Sequence, residues 1–479
     1  MPHSHIIKQV MSFLLLRNFF IPFTILGNIL IIRLLPPSEY GKWFFIWNLI
    51  ITVGPFLNLG FISSLAKFIP EVSDQNEKNK FFTSSLWIVT LLCALLFIPY
   101  MFLFTIDISW IPVEIREVKF SFFIFLYFIS IIPVFEGWYR GLGQFNRWTV
   151  WDGCRGVSSI ALSLAVVYFF SKTFHSLYYS YFCMATLSLG LLILIHRKNF
   201  SGFNLQLEKR VTQFTLAAFF AQLAFMLRMN VDPILIRTLV NNSAELAFFD
   251  VGTRIPRMIE NLLLGSLSIP FIYHFSRLDT QIKKEEIVIF GTRMIACVIG
   301  LLSIGLFSFA KLIIPVLFSN NYTRSIPVLE CFALVPFLTS FLTLPHSYLI
   351  AGNKPFFSTF FMFIAFLLTL ILDLILIPHL GAVGAALSAT LVVFIFNIAY
   401  LLYIARQGIY VGEMFTKFMI GLGLSMIANY FVPYTALGVF ALYILKMNLM
   451  TSADLQKIGK FINELTGSRF KKESLPFTL

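Results

Sequence analysis

Arginine is the cation that recurs inside the apolar runs of this chain. The runs of bilayer length contain no lysine but six arginines, namely Arg17, Arg155, Arg228, Arg254, Arg257 and Arg293. A charge at the centre of a membrane-spanning helix costs about 2.5–3.5 kcal/mol on an insertion scale, and it is kept where it faces a partner or a water-filled cavity. Because the planar guanidinium binds phosphate oxygens through two parallel hydrogen bonds, these residues predict a cavity for a phosphorylated ligand.

Acidic residues at helical spacing offer a simpler explanation for some of these arginines. Residues three or four apart share a helix face, so opposite charges there can neutralise each other. The candidate pairs are Glu136/Arg140, Asp152/Arg155, Arg228/Asp232, Asp250/Arg254 and Arg257/Glu260. Arg17 and Arg293 have no acidic residue at this spacing, so local pairing does not account for all six. Both explanations stay open, and the densest stretch, 227–260, is the first candidate for ligand recognition.

Three aspartates in or near the apolar runs are candidates for ion coupling or charge pairing: Asp232, Asp250 and Asp373. Asp373 stands in the run 368–377 with no charged neighbour. A buried carboxyl group can exchange a proton or Na⁺, or it can bond to a neighbouring helix. The sequence has no Cys/His metal spacing, Walker loop, HExxH or GxSxG motif. We therefore expect no metal or cofactor, and a transporter rather than an enzyme.

The composition predicts the elements that must position these residues. Of the 479 residues, 58% are hydrophobic and 12% are charged, whereas soluble domains are about 25% charged. The fold class is therefore an all-α polytopic membrane protein. About fourteen spans are predicted, with twelve as the alternative. They lie near 10–33, 43–67, 84–105, 119–139, 150–170, 176–196, 213–238, 246–273, 288–309, 327–350, 356–377, 382–404, 414–430 and 432–446.

Lysine and arginine are unevenly distributed between the two sides of these spans. An even number of spans places both termini on one side, and that side holds most of the loop cations, which predicts cytoplasmic termini in a cell membrane. The formal charge of +13 does not indicate nucleic-acid binding, because the cations are dispersed among loops. The predicted division is an N-terminal six-helix half at 1–200, a C-terminal six-helix half at 201–405, two additional spans at 406–447 and a cytoplasmic tail at 448–479.

Two short segments recur at matching positions in the predicted halves. Ile32-Arg33 after the first span is echoed by Ile236-Arg237 after the seventh, and a Tyr-x-x-x-Gly pattern follows both the fourth and the tenth spans. The offsets lie between 204 and 209 residues. Because each half has an even number of helices, equivalent helices run in the same direction. Such parallel halves can enclose a central cavity and rock against each other.

Several short motifs resemble those of a known family. They are Arg33-Leu-Leu-Pro-Pro-Ser-Glu-Tyr-Gly41, Leu59-Gly60, Lys67-Phe-Ile-Pro-Glu71, Tyr139-Arg-Gly141 with Gln144-Phe145, and Pro378-His-Leu-Gly-Ala-Val-Gly-Ala-Ala386. Their order and spacing resemble the polysaccharide (O-antigen type) flippases of the multidrug/oligosaccharidyl-lipid/polysaccharide exporter (MOP) superfamily. The last motif is the most specific, since it is similar to that family's entry to the twelfth helix.

The resemblance implies a flippase that moves a polyprenyl-pyrophosphate-linked oligosaccharide from the cytoplasmic to the outer leaflet by alternating access, for cell-surface polysaccharide biosynthesis. The six arginines would then form a ladder that binds the pyrophosphate. Expected partners are this substrate, the lipid bilayer and other polysaccharide-assembly membrane proteins. One alternative is a cation-coupled multidrug or small-molecule antiporter of the same fold, which an acidic, aromatic cavity would suit better. The other is a membrane-embedded polysaccharide polymerase, for which a sizeable outer loop would be expected.

Overall fold

A computed structural model describes residues 2–103, 111–201, 209–264, 281–351, 355–406, 408–447 and 449. Within these ranges the chain forms eighteen α-helices, with short 3₁₀ and π turns and no β-strand. The predicted all-α fold class is confirmed. The predicted tail, apart from Leu449, and the end of the predicted span 246–273 lie outside the described residues.

The helices before residue 260 contain most of the charged residues predicted to be functional. They are α1 (Pro2–Leu34), α2 (Pro37–Leu57), α3 (Phe61–Phe68), α4 (Gln75–Leu103), α5 (Val113–Glu117), α6 (Lys119–Gly141), α7 (Phe145–Phe169), α8 (Phe174–His196), α9 (Lys209–Val240) and α10 (Ser243–Ile259). A π-helical turn, Glu260–Leu264, follows α10 directly.

The remaining described helices are more uniformly apolar. They are α11 (Gln281–Ser308), α12 (Ala310–Phe318), α13 (Ile326–Phe332), α14 (Leu334–Ala351), α15 (Pro355–Leu380), α16 (Ala382–Ala405), α17 (Gly412–Phe431) and α18 (Ala436–Lys446). Across the described ranges, eight helical segments are long and apolar enough to cross a membrane, or nine if the bent α2–α3 pair counts as one span. The predicted number of fourteen spans is therefore not confirmed.

The predicted second span, 43–67, is broken into α2 and α3, which meet at an angle of 48°. At the break, Leu59 and Gly60 adopt positive φ angles of 52° and 81°. A side chain at Gly60 would lie 2.9 Å from backbone atoms of Thr215 and Phe219 in α9. Glycine is therefore required at this position for two reasons, the left-handed backbone and the close approach of α9.

The described helices group into two compact units. The first unit comprises Met1–Val251, Ile314–Ser325 and Thr359–Ser388, and the second comprises Gly252–Ile313, Ile326–Ser358 and Ala389–Leu479. Within the first unit, α1 packs on α7, α2 and α3 pack on α9, and α4 packs on α6. Within the second, α11 packs on α14, α17 and α18. Units defined by contacts need not follow the boundary between duplicated halves, so the predicted halves stay a prediction.

The turn between α15 and α16 depends on two glycines of the Pro378–Ala386 motif. Gly381 has a φ of +57°, which ends α15 in the left-handed conformation that glycine adopts most easily. A Cβ atom at Gly384 would lie only 2.4 Å from the carbonyl oxygen of Leu376. The absence of a side chain at Gly384 therefore lets the start of α16 lie against the last turn of α15.

Replacing Gly384 with alanine should destabilise the protein by about 1–3 kcal/mol, because the new methyl group meets backbone that cannot move aside. The measurement is the thermal unfolding temperature of the purified protein in detergent. Gly190→Ala is the matched control, since a Cβ atom there has no neighbour within 4 Å. The control Gly190→Ala should leave stability unchanged or raise it by up to about 1 kcal/mol, because alanine has the higher helix propensity. An unchanged unfolding temperature for Gly384→Ala would contradict the close packing.

Candidate functional site: a buried acid pair and a set of arginines

Two of the three predicted aspartates come together within the first unit. Asp373 in α15 is 0% exposed and Asp232 in α9 is 5% exposed. Their carboxyl groups are within interaction range of each other, and the Ser388 hydroxyl of α16 lies beside Asp373. Ser388 also donates a hydrogen bond to the carbonyl oxygen of Thr369 over 3.4 Å. Three helices therefore contribute oxygen atoms to one buried site.

The small residues of the α15–α16 turn position Ser388. Gly384 holds the start of α16 against the carbonyl oxygen of Leu376. Ser388 follows Gly384 by four residues, so both lie on the α16 face that meets α15. Asp373 lies one turn before Ile377 on α15. The glycine motif, which resembles a family signature, thus brings the Ser388 hydroxyl to the Asp373 carboxyl group.

The chemistry of this site follows from its composition. Two carboxyl groups in a low-dielectric interior cannot both stay charged unless a cation lies between them or one of them carries a proton. Both carboxyl oxygens of Asp373 are buried and have no hydrogen-bond partner among the described residues. Carboxylate, hydroxyl and carbonyl oxygens suit a hard cation. Among the described residues, no group of three or more His, Cys, Asp or Glu residues could hold a metal ion.

The third aspartate has a different partner. Asp250 in α10 is 7% exposed, and it accepts a hydrogen bond of 2.6 Å from the Tyr40 hydroxyl of α2. The Tyr40 ring also contacts the Tyr322 ring edge-on, with centroids 6.5 Å apart. The hydrogen bond between Tyr40 and Asp250 joins α10 to the start of α2, within the motif that follows the first span. Asp250 is therefore a charge-pairing candidate with a structural contact of its own.

The six predicted arginines are distributed over both units. Arg155 and Arg228 belong to the first unit, and Arg254, Arg257 and Arg293 belong to the second. The side chains of these five are partly buried. Arg17 lies in α1, and its side chain is outside the described part of the chain.

Three of the arginines contact aromatic rings. The guanidinium carbon of Arg155 lies 5.8 Å from the centroid of the Trp151 ring. The corresponding distances are 5.5 Å from Arg257 to Phe332 and 5.7 Å from Arg293 to Phe290. Such contacts are attractive, and they restrict the orientation of the guanidinium plane. The orientation of the guanidinium plane matters because two parallel hydrogen bonds to one phosphate require both N–H donors to point toward it.

The predicted local ion pairs are confirmed at two positions. Arg140 pairs with Glu136 and Arg155 pairs with Asp152. Glu260, the predicted partner of Arg257, accepts a hydrogen bond of 2.8 Å from the Thr339 hydroxyl. Local pairing therefore explains Arg155 and also Arg140 at the edge of a span. The aromatic contacts of Arg257 and Arg293 agree with the other explanation, a phosphorylated ligand.

The sequence did not reveal a buried ion pair between α5 and α9. The Arg237 guanidinium donates to both Glu114 carboxylate oxygens over 3.1 Å, and the Ser243 hydroxyl donates to the same carboxylate over 2.9 Å. The side chains of Arg237 and Glu114 are 11% and 3% exposed. This two-point geometry resembles the one by which arginine binds phosphate, but here the carboxylate is part of the protein. Arg237 lies at the end of the Ile236-Arg237 echo, which is the only signal that singled it out.

Asparagines form a second polar contact that the sequence did not reveal. The Asn48 side chain of α2 donates to the Asn230 side chain of α9 over 3.2 Å, and both are buried. Asn230 lies two residues before Asp232. Polar residues inside apolar helices are the signal that could have found this contact.

Replacing Arg237 with methionine should destabilise the protein by about 3–5 kcal/mol, because Glu114 is left as a buried charge without its partner. Thermal unfolding in detergent measures the effect. The double replacement of Arg237 and Glu114 with methionine should recover most of the loss, and Arg116→Met, an exposed cation on α5, should have little effect. Equal stability of the single and double variants would show that the loss comes from packing rather than from charge.

The fold and the charged residues within its helices define a helical membrane protein. A family model described as "Polysaccharide biosynthesis protein" matches residues 7–276. This is more than half of the chain, so the chain belongs to the polysaccharide biosynthesis protein family, and the resemblance predicted from the motifs is confirmed. No curated protein matches the chain.

Solved structures of MOP-superfamily proteins share the fold. Lipid II flippase MurJ in an inward closed conformation has a TM-score of 0.73 and 13% identity, over 96% of this chain and 100% of that chain. An inward-facing multidrug resistance MATE family transporter has a TM-score of 0.63 and 13% identity, over 80% and 94%. A MOP superfamily transporter from Pyrococcus furiosus has a TM-score of 0.55 and 14% identity, over 84% and 95%. At such low identity these matches show the fold alone.

Proposed function

We propose that this protein is a flippase for a polyprenyl-pyrophosphate-linked oligosaccharide, which it moves from the cytoplasmic to the outer leaflet of the cell membrane for cell-surface polysaccharide biosynthesis. The observation that carries the proposal is the family match over residues 7–276. The fold supports it, because one of the solved structures of this fold is named as a lipid II flippase. In this proposal the termini are cytoplasmic, and the halves at 1–200 and 201–405 alternate in opening the cavity to the two sides.

The arginines are the proposed ligands of the pyrophosphate. A pyrophosphate that leaves water must exchange its hydration for other hydrogen-bond donors, and guanidinium groups provide fixed pairs of donors. Arg257 and Arg293 each lie over a phenylalanine ring, which supports a preorganised plane. The same assignment extends to Arg17, Arg228 and Arg254, and to Arg155 beside its pairing with Asp152, because they share the residue type and the placement within apolar helices.

The acid pair is the proposed site of coupling to a cation gradient. Asp232 and Asp373 together can hold one proton or one Na⁺ ion, and loss of that cation would leave two buried negative charges in contact. The positions of α9 and α15 would then depend on cation occupancy. Asp232 also lies one helical turn after Arg228, so a charge change at the acid pair would alter the potential at a proposed pyrophosphate ligand.

Reconstitution into vesicles tests the substrate class. We expect exchange of a polyprenyl-pyrophosphate-linked oligosaccharide between leaflets, scored by the accessibility of the sugar to an added glycosidase. Protein-dependent uptake of a cationic drug without lipid exchange would favour the antiporter. A lengthened sugar chain in the recovered lipid would favour the polymerase.

Replacing Arg257 with alanine should lower the rate of this exchange by about tenfold or more, because a charge-assisted contact with phosphate contributes about 1.5–3 kcal/mol. Arg257→Lys should recover only part of the rate, since lysine cannot form the two-point contact. Arg406→Ala serves as the control, because Arg406 is exposed at the end of α16. An Arg257→Ala protein that inserts normally and exchanges lipid at the wild-type rate would contradict the assignment.

Replacing Asp373 with asparagine should abolish the dependence of transport on a pH or Na⁺ gradient, because an amide neither takes up a proton in this range nor balances a cation. Initial rates are compared in vesicles with and without each gradient. Asp250→Asn is the control, since Asp250 is hydrogen-bonded to Tyr40. If Asp373→Asn keeps the full gradient dependence, the acid pair has no role in coupling.

A further inference from the structure

A cavity of about 420 Å³ lies in the first unit, between α4, α6 and α8. Its floor is formed by Ile131 and Phe135 of α6 and Leu189 of α8, which are 4%, 0% and 5% exposed. Its rim includes Trp87 of α4 and Ile193 of α8, which are 43% and 44% exposed. The volume falls within the range of about 300–1,000 Å³ that is usual for small-molecule sites.

The mouth of this cavity faces the hydrocarbon of the membrane. Helix α4 is peripheral, since only 11% of its most apolar stretch is buried inside the protein. Further along α4, Leu95 and Ile98 are 67% and 71% exposed. Exposed aliphatic side chains on a membrane-spanning helix contact lipid, so the lipid of the bilayer can reach this cavity from the side of α4.

The two ends of the cavity differ in chemistry. At the deep end, the Thr90 and Tyr127 hydroxyls lie 3.3 Å apart. At the other end, the backbone amide of Ser201 donates to the Thr83 hydroxyl over 3.0 Å. The Ser201 hydroxyl is buried and has no hydrogen-bond partner among the described residues. From Thr83 to Thr90 the cavity runs about 10 Å along α4, which is within the depth of one leaflet.

Three exposed cations flank the Thr83 end. Lys80 lies one turn before Thr83 on α4, and Arg197 and Lys198 lie in the turn between Ile193 and Phe200. Phe200, which lines the cavity, is stacked on Phe82 with ring centroids 6.2 Å apart. The turn that carries Arg197 and Lys198 is therefore attached to the cavity wall. This arrangement is complementary to a phosphate group at the membrane surface with a hydrocarbon chain below it.

We propose that this cavity is a binding site for an anionic phospholipid, with one acyl chain between α4, α6 and α8 and the headgroup phosphate beside Lys80, Arg197 and Lys198. Its length of about 10 Å along α4 accommodates the part of an acyl chain nearest the headgroup, and the rest of the chain continues into the bilayer. The site is separate from the acid pair, and the proposal does not depend on the transported substrate.

The test uses the full-length protein purified in detergent, with phosphatidylglycerol, phosphatidylcholine of the same chains and a polyprenyl phosphate as probes. Native mass spectrometry counts retained lipid, and thermal unfolding measures stabilisation. Wild-type protein should retain one phosphatidylglycerol and be stabilised more by it than by phosphatidylcholine. Ile193→Trp, which fills the mouth, should weaken binding at least tenfold. Leu191→Trp is the matched control, since Leu191 is 54% exposed on the same helix and does not line the cavity; it should behave as wild type.

Three further variants test the contact between the headgroup phosphate and the cations. Lys80→Gln, Arg197→Gln and Lys198→Gln should each weaken phosphatidylglycerol binding about fivefold and leave phosphatidylcholine binding unchanged. A fluorescence measurement tests lipid binding without the Ile193→Trp replacement. Phosphatidylglycerol with brominated chains should quench the Trp87 fluorescence, taken as the difference between wild type and Trp87→Phe, more strongly than phosphatidylcholine with the same brominated chains.

Retention of phosphatidylglycerol by Ile193→Trp at the wild-type level would overturn the proposal. So would equal binding of phosphatidylcholine, which would remove the role of the cations. Preferential retention of the polyprenyl phosphate would also overturn it, because the cavity would then be a substrate site.

Discussion

The burial of two carboxyl groups near each other is a constraint that the surrounding helices α9, α15 and α16 must satisfy. Asp373 is fully buried and Asp232 nearly so, and an isolated carboxylate in such surroundings is costly. A proton or a cation relieves that cost, and in the proposed mechanism its presence is linked to the positions of α9, α15 and α16. Close helix packing makes this link effective. Gly384 brings α16 against α15, and Ser388 adds a hydroxyl where the two acids meet.

The proposed recognition of an anion and of a cation uses different side chains. The arginines within the helices provide planar donors, and three of them lie over aromatic rings. Asp232 and Asp373 would provide oxygen ligands for a cation. In the proposed mechanism, α9 connects the two functions, because Arg228 and Asp232 are one turn apart. Arginine pairing is not reserved for ligands, however. Arg237 has the same two-point geometry with Glu114, an acid of the protein itself, so residue type alone does not separate a ligand-binding arginine from a structural one.

The sequence predicts the fold class, the family and the burial of Asp373 well, because these depend on composition, motif order and a lone charge in an apolar run. Local ion pairs such as Glu136/Arg140 were also predictable, since helical spacing determines them. Contacts between distant segments were not. The Asp373–Asp232, Asp250–Tyr40 and Arg237–Glu114 contacts each join residues that lie more than a hundred positions apart along the chain. The break at Leu59–Gly60 was missed because hydropathy continues across it, whereas the backbone does not.

The central claim is tested most directly by measuring the protonation state of Asp232 and Asp373. Infrared difference spectroscopy of the protein in lipid can detect a carboxylic acid carbonyl band, and Asp232→Asn and Asp373→Asn assign it. We predict that wild-type protein shows a protonated carboxyl band that disappears in Asp373→Asn and shifts in Asp232→Asn, where Asp373 stays buried, and that Na⁺ removes the wild-type band where it replaces the proton. A wild-type spectrum in which both carboxyl groups stay ionised with neither a proton nor Na⁺ bound would contradict the account.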